Sequence, residues 1–149
     1  MNQTKKSHKQ RQSASIQGIG MLLLLTSFAA SATDWTSISK AKEYEMLVDM
    51  DSYNESDGHP YITTKTIYKK LQKYQKNQIK FTYIENHTTS QFNCISHMYR
   101  NTAVSFYDQK SKLVRTEKGN IEFEPTIHDS TNNSLEGLVC QVQRMVGGQ

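Results

Sequence analysis

The sequence predicts an α+β domain: an antiparallel β-sheet of about six strands packed by one C-terminal α-helix that a disulfide ties to the sheet. Three observations support that class. Apolar and polar residues alternate through most of the span from Glu43 to Glu124, the period of a half-buried strand. The breaks between these runs are short and polar, so neighbouring strands pair antiparallel. Near the C-terminus the period changes, because Leu135, Leu138, Val139, Val142 and Val146 fall at i, i+3, i+4, i+7 and i+11, a stripe along one side of a helix.

Residues 1–32 read as a secretory signal peptide. Lys5, Lys6, Lys9 and Arg11 form a positive start, Met21 to Leu25 an apolar core, and Ala30-Ser31-Ala32 a small-x-small cleavage site. An uncleaved anchor would need about 20 predominantly apolar residues, and this run is shorter and interrupted by Gln17, Thr26 and Ser27. No cysteine lies near the cleavage site, so no lipid anchor is expected, and contact with a membrane is expected only through the signal peptide before its removal. Residues 33–149 then form a single domain, periplasmic or secreted.

Export changes the meaning of the charge. The chain carries 18 Lys+Arg against 14 Asp+Glu, which resembles a basic protein until the charges are located. The first 32 residues hold four bases and no acid, leaving 14 against 14. Basicity therefore describes the export signal, and nucleic acid is not an expected partner. Few Pro, Gly and Cys residues exclude collagen, a disulfide-dense miniprotein and a multi-domain enzyme.

Along the remaining chain, Tyr44, Met46, Val48 and Met50 alternate with Glu45, Asp49 and Asp51 in a first predicted strand. Asn54 to Pro60 is polar and rich in breakers, a predicted loop. Tyr61 to Leu71 favours a pleated surface and predicts a second strand, followed by a lysine-rich connection. Ile79, Phe81 and Tyr83 predict a third. Phe92, Cys94, Ser96 and Met98 share one face of the next extended run, and Ala103 to Tyr107 continues after a break at Arg100-Asn101-Thr102. Asp108 to Ser111 then turns the chain towards Leu113-Val114-Arg115 in a hairpin, and Ile121-Glu122-Phe123 predicts a last short strand. Ser130 is the expected N-cap of the helix, and Gly147-Gly148 its end. The apolar stripe must be buried, and the apolar face of the sheet is the surface available to it.

An even pair of cysteines in an exported chain reads as a disulfide, whereas in the cytosol it would be two thiols or half a metal site. Cys94 and Cys140 can pair in one way, and closing a loop of about 46 residues stabilises by ~4 kcal/mol in the chain-entropy model. The absence of Cys-x-x-Cys argues against redox catalysis. Asp49, Asp51 and Asp57-Gly58 resemble a calcium loop, but Tyr53 and Asn54 stand where an oxygen ligand and a glycine are needed. His59, His87, His97 and His128 have no ligand spacing. No nucleophile motif or phosphate loop is present, so no enzyme, metal or cofactor is expected. The regional charge feature is Lys65, Lys69, Lys70, Lys73, Lys76 and Lys80, with Tyr68 and Tyr74 interleaved and no acid between them. Such a strip is a candidate binding site for a polyanion such as heparan sulfate or for an acidic patch on a protein; its other readings are an edge strand guarded by lysines or a solvated loop.

The order of several features resembles the surface-adhesin protein E family of Gram-negative bacteria: Trp35, Asp49-Met50-Asp51-Ser52, Cys94 followed by Met98-Tyr99-Arg100, Phe106-Tyr107-Asp108, Ser130, and Leu138-Val139-Cys140. The resemblance implies an antiparallel sheet packed by a C-terminal helix with a disulfide between them, binding of host extracellular-matrix or serum proteins such as vitronectin and laminin, and a capacity to form a homodimer. The chain departs from the family in lacking a lipidated cysteine, a glycine in the turn after Asp108, and a proline before Ser130. The expectation is an exported, non-enzymatic binding protein; the alternative is a small periplasmic envelope or stress-related binding protein with no host ligand.

Overall fold

The computed structural model describes residues 33–147; the predicted signal peptide lies outside the described residues. Seven strands and one helix follow in order: β1 (Trp35–Lys40), β2 (Tyr44–Ser56), β3 (His59–Lys76), β4 (Ile79–Asn93), β5 (Met98–Tyr107), β6 (Leu113–Lys118), β7 (Glu124–Pro125) and α1 (Thr131–Gly147). The first six form an antiparallel sheet in sequence order, β1-β2-β3-β4-β5-β6, and β7 pairs with β5. The predicted fold class is the observed one.

Alternation sets the inner face. Val48, Ile62 and Phe92 are buried beneath Leu135 and Val139 of α1, with Ile38, Tyr53, Tyr99 and Leu138 packed around them. Ser130 caps the helix as its side chain predicts, its Oγ accepting from the Asn133 amide at 3.1 Å. The buried face of α1 is rotated from the apolar stripe, however, because Glu136 and Cys140 are buried while Val146 is 59% exposed. The last turn leaves the sheet and leaves Val146 in solvent.

Several local expectations are corrected. Asn54 to Pro60 is no loop, since β2 and β3 continue to a two-residue turn at Asp57-Gly58. Both residues are left-handed, with φ of 55° and 74°, which favours Asp-Gly in a hairpin turn. Met50 is exposed because pairing slips after Asp49. There the Ser52 hydroxyl donates to the Asp49 carbonyl at 2.6 Å and accepts from the Thr63 amide at 2.8 Å, replacing a missing ladder bond. Cys94 and Ser96 do not lie in a strand. Asn93 Oδ1 accepts from the amides of Ile95 and Ser96, both at 3.1 Å, folding Cys94–His97 into a turn. Arg100-Asn101-Thr102 does not break β5, and the last strand is Glu124–Pro125 rather than Ile121–Phe123. In β1, which the sequence reading did not anticipate, pairing slips between Ser37 and Ser39, which places Ile38 in a bulge.

Candidate partner-binding surface

The disulfide is formed. Cys94 follows the end of β4, Cys140 lies in α1, and their Cα atoms are 5.7 Å apart. Beside it His97 Nδ1 stands 2.8 Å from Glu136 Oε1, and the other Glu136 oxygen is buried without a hydrogen-bond partner. This end of the molecule is a fastening: α1, the β4–β5 turn and the core meet there.

The lysine-rich connection expected after Leu71 is strand instead, and Lys73 and Lys76 continue β3. Lys65, Lys69, Lys70, Lys73 and Lys76 lie within β3 and Lys80 within β4. β3 is an inner strand for its first half. Its pairing with β2 ends at Tyr44↔Tyr68, and β4 pairs with β5 only from Glu85 onwards. Between these limits β3 and β4 run on as a two-stranded arm, paired from Gln72↔Tyr83 to Lys76↔Ile79 and closed by Asn77-Gln78. Asn77 takes a φ of 54° to make that turn.

The structure brings together five of the six lysines. Lys69 and Lys70 fall in the slip of register between Ile67 and Gln72. Lys73 and Lys80 share one face of the arm with their partners Thr82 and Gln75, while Lys76 is on the face of Tyr74 and Phe81. Lys65 stands apart, its ammonium 4.4 Å from the centre of the Trp35 ring. Among the described residues the lysine and arginine ion pairs are Lys40–Glu45 and Arg115–Glu117, and none involves the six.

An aromatic cluster supports the arm. Tyr74 and Phe81 stack with centroids 4.6 Å apart and an interplanar angle of 15°. Phe106, buried, meets Tyr74, Phe81 and Tyr83 at 5.0, 5.1 and 4.9 Å. Tyr68 joins Tyr83 edge-on at 5.7 Å. Burial pushes the Tyr83 hydroxyl up, and Tyr68 beside it adds to the shift. Rings thus occupy the position that a further strand or the helix would fill, so a two-stranded ribbon holds its shape.

Other polar groups serve the fold. Arg100 donates through Nε and Nη2 to Gln91 Oε1 at 2.9 and 2.7 Å, and through Nη1 to the Ile121 carbonyl. Its guanidinium covers Phe123 at 4.6 Å, which holds the loop before β7 against the sheet. Sequence reasoning assigned Arg100 to a break; a lone arginine opposite a glutamine gives no pattern by which to find this role. On the outer face His87 lies between Trp35 and Tyr107, with centroids at 5.2 and 4.5 Å, and its Nε2 is 2.6 Å from Glu85 Oε1. That row was likewise not anticipated. A cleft of about 410 Å³ between β1 and the start of α1 is lined by Ile38, Ser39, Asp129, Ser130, Ser134 and Leu135, among others. Its carboxylate, Asp129, stands with Oδ2 3.0 Å from His128 Nδ1, and both side chains are exposed. Among the described residues no cluster of three or more His, Cys, Asp or Glu could hold a metal ion, and no helix is long and apolar enough to cross a membrane.

The arrangement offers a charged surface on a two-stranded arm. Comparison with known proteins adds one finding: a family model described as surface-adhesin protein E matches residues 35–141. No curated protein and no solved structure gives a significant match.

Proposed function

Because the chain belongs to the surface-adhesin protein E family, we propose that it is an exported, non-enzymatic protein that binds macromolecular partners through its open surface, with residues 1–32 acting as a cleaved signal peptide. The observation that carries this reading is the extent of the family match, which covers nearly all of the described domain. The fold is consistent with it. The charged groups that the chain concentrates project on an arm, where a large partner can reach them, and the disulfide fastens the helix at the Cys94 end of the sheet. Host extracellular-matrix or serum proteins are the partners proposed, with Lys65, Lys69, Lys70, Lys73, Lys76 and Lys80 as the contact for acidic surfaces.

Biolayer interferometry of the exported protein against immobilised vitronectin and laminin tests the reading. Saturable binding at micromolar concentration or below is expected; no binding to either would overturn the host-facing part. Protease treatment of intact cells tests location. Digestion of the protein is expected, and protection until the outer membrane is opened would place it in the periplasm instead.

A further inference from the structure

We propose, resting on the reading of the chain as an exported binding protein, that the β3–β4 arm binds an acidic polysaccharide chain through Lys69, Lys70, Lys73, Lys76 and Lys80, which lie on both of its faces.

Charge is the first argument. No acid occurs between Asp57 and Glu85, and the five lysines are exposed. Outside the strip, residues 33–149 hold eight bases against 14 acids. A polyanion is therefore attracted to the arm and repelled by the remainder, which fixes where it lands.

Shape is the second. Lys73 and Lys76 are separated by about 10 Å along the paired strand, at ~3.3 Å per residue, with Lys69 and Lys70 beyond them in the slip of register. Lys73 and Lys80 stand on one face, Lys76 on the other, and both edges of the arm are free of further strands. Charges so distributed suit an extended ligand that carries anions at intervals. They do not suit a single phosphate or carboxylate, which needs donors that converge.

The chemistry of the side chains separates a glycan from an acidic protein. All five are lysines, which offer hydrated point charges rather than the planar fork that pairs with carboxylates on proteins. Lysine is depleted at protein–protein interfaces, which depend on buried apolar or aromatic anchors. Here the rings are engaged with one another and with Phe106, so they are not free to enter a partner's pocket. Tyr74 and Phe81 remain half-exposed. A shallow opening of about 230 Å³ runs beside them, lined by Lys73, Tyr74, Gln75, Lys80, Phe81 and Thr82. Lys73 and Lys80 lie across the arm from the rings, so this opening offers a polyanion two ammoniums on one face.

The test uses the exported protein on immobilised heparin, with polyglutamate as the acidic polypeptide and vitronectin and laminin measured on the same samples. Binding to heparin is expected to exceed that to polyglutamate. By counterion release it should fall on the order of 10- to 100-fold between about 50 and 200 mM salt for three to five lysines. The K73Q/K76Q/K80Q variant should lose at least about tenfold at low salt. K73R/K76R/K80R should retain binding, as should K118Q/R144Q, which removes exposed bases at the end of β6 and in α1. An unchanged thermal midpoint in each variant shows that the fold is kept. No binding to heparin at low salt, equal losses in the arm and control variants, or polyglutamate bound as tightly as heparin would each overturn the glycan assignment. Should vitronectin or laminin still bind in those cases, the exported binding-protein reading stands without it; absence of all three ligands overturns both.

Discussion

Gly119 carries a constraint that its neighbours do not suggest. Its amide donates to the Thr102 carbonyl at 3.0 Å, and a Cβ placed on it would lie 1.6 Å from the Asn101 carbonyl oxygen. That neighbour is backbone of β5 and cannot rotate away. Gly119→Ala is expected to cost roughly 1–3 kcal/mol as an overpacked site, read as a lower thermal midpoint. Asp108 governs the β5–β6 turn differently. Its Oδ1 accepts from the amides of Lys112 and Lys110 at 3.0 and 2.8 Å, and these two bonds, Lys112 first, hold its carboxyl below the usual carboxylate range. The stability this contributes is complete above the carboxyl's unfolded-state range and is lost as pH falls through its lowered folded value. Asp108→Asn should therefore be less stable than the parent at neutral pH, and the gap in thermal midpoint should narrow as pH falls through and below the usual carboxylate range.

The helix separates residues of similar composition by what they touch. Leu135 is 2% exposed, so Leu135→Ala is expected to cost about 2–5 kcal/mol. Val146→Ala should stay within about 0.5 kcal/mol, because the side chain leaves the sheet. Replacing Cys94 by Ser should cost about 2–4 kcal/mol under oxidising conditions, and thiol titration of the unfolded native protein should find no free thiol. Much of the fold was legible in the sequence, since the strand periods, the Ser130 cap and the Asp108 turn each act over a few residues. What was not legible came from competing local chemistry. Asp57-Gly58 was present as a hairpin signal but was hidden among polar strand residues, which remain polar because they lie at the rim of the sheet. Phe92 and Cys94 have matching parity, yet the Asn93 side chain turns the chain between them. The clustering of the lysines could be read directly. Their place on an arm could not, because it depends on where β2 and β5 stop pairing.

Across the whole molecule, charge is balanced but divided. With residues 1–32 removed, the chain is formally neutral and carries six of its eleven lysines between Lys65 and Lys80, with an excess of acids elsewhere. The exported protein is expected to be retained on a sulfonate cation exchanger near neutral pH despite a zero formal charge, and K73Q/K76Q/K80Q to elute at lower salt. Uniform charge would give no retention and no such difference. The sequential strand order carries a separate consequence, for folding. Every strand from β1 to β6 pairs with its neighbour in the chain, so the contact order is low for a sheet of this size and hairpins can add one after another without closing long loops first. The helix and its Cys140 come last in the chain, after the sheet they cover. Rapid thiol trapping during oxidative refolding should then find strand structure established while Cys94 and Cys140 are still reduced, with the bond locking a finished sheet rather than guiding its assembly.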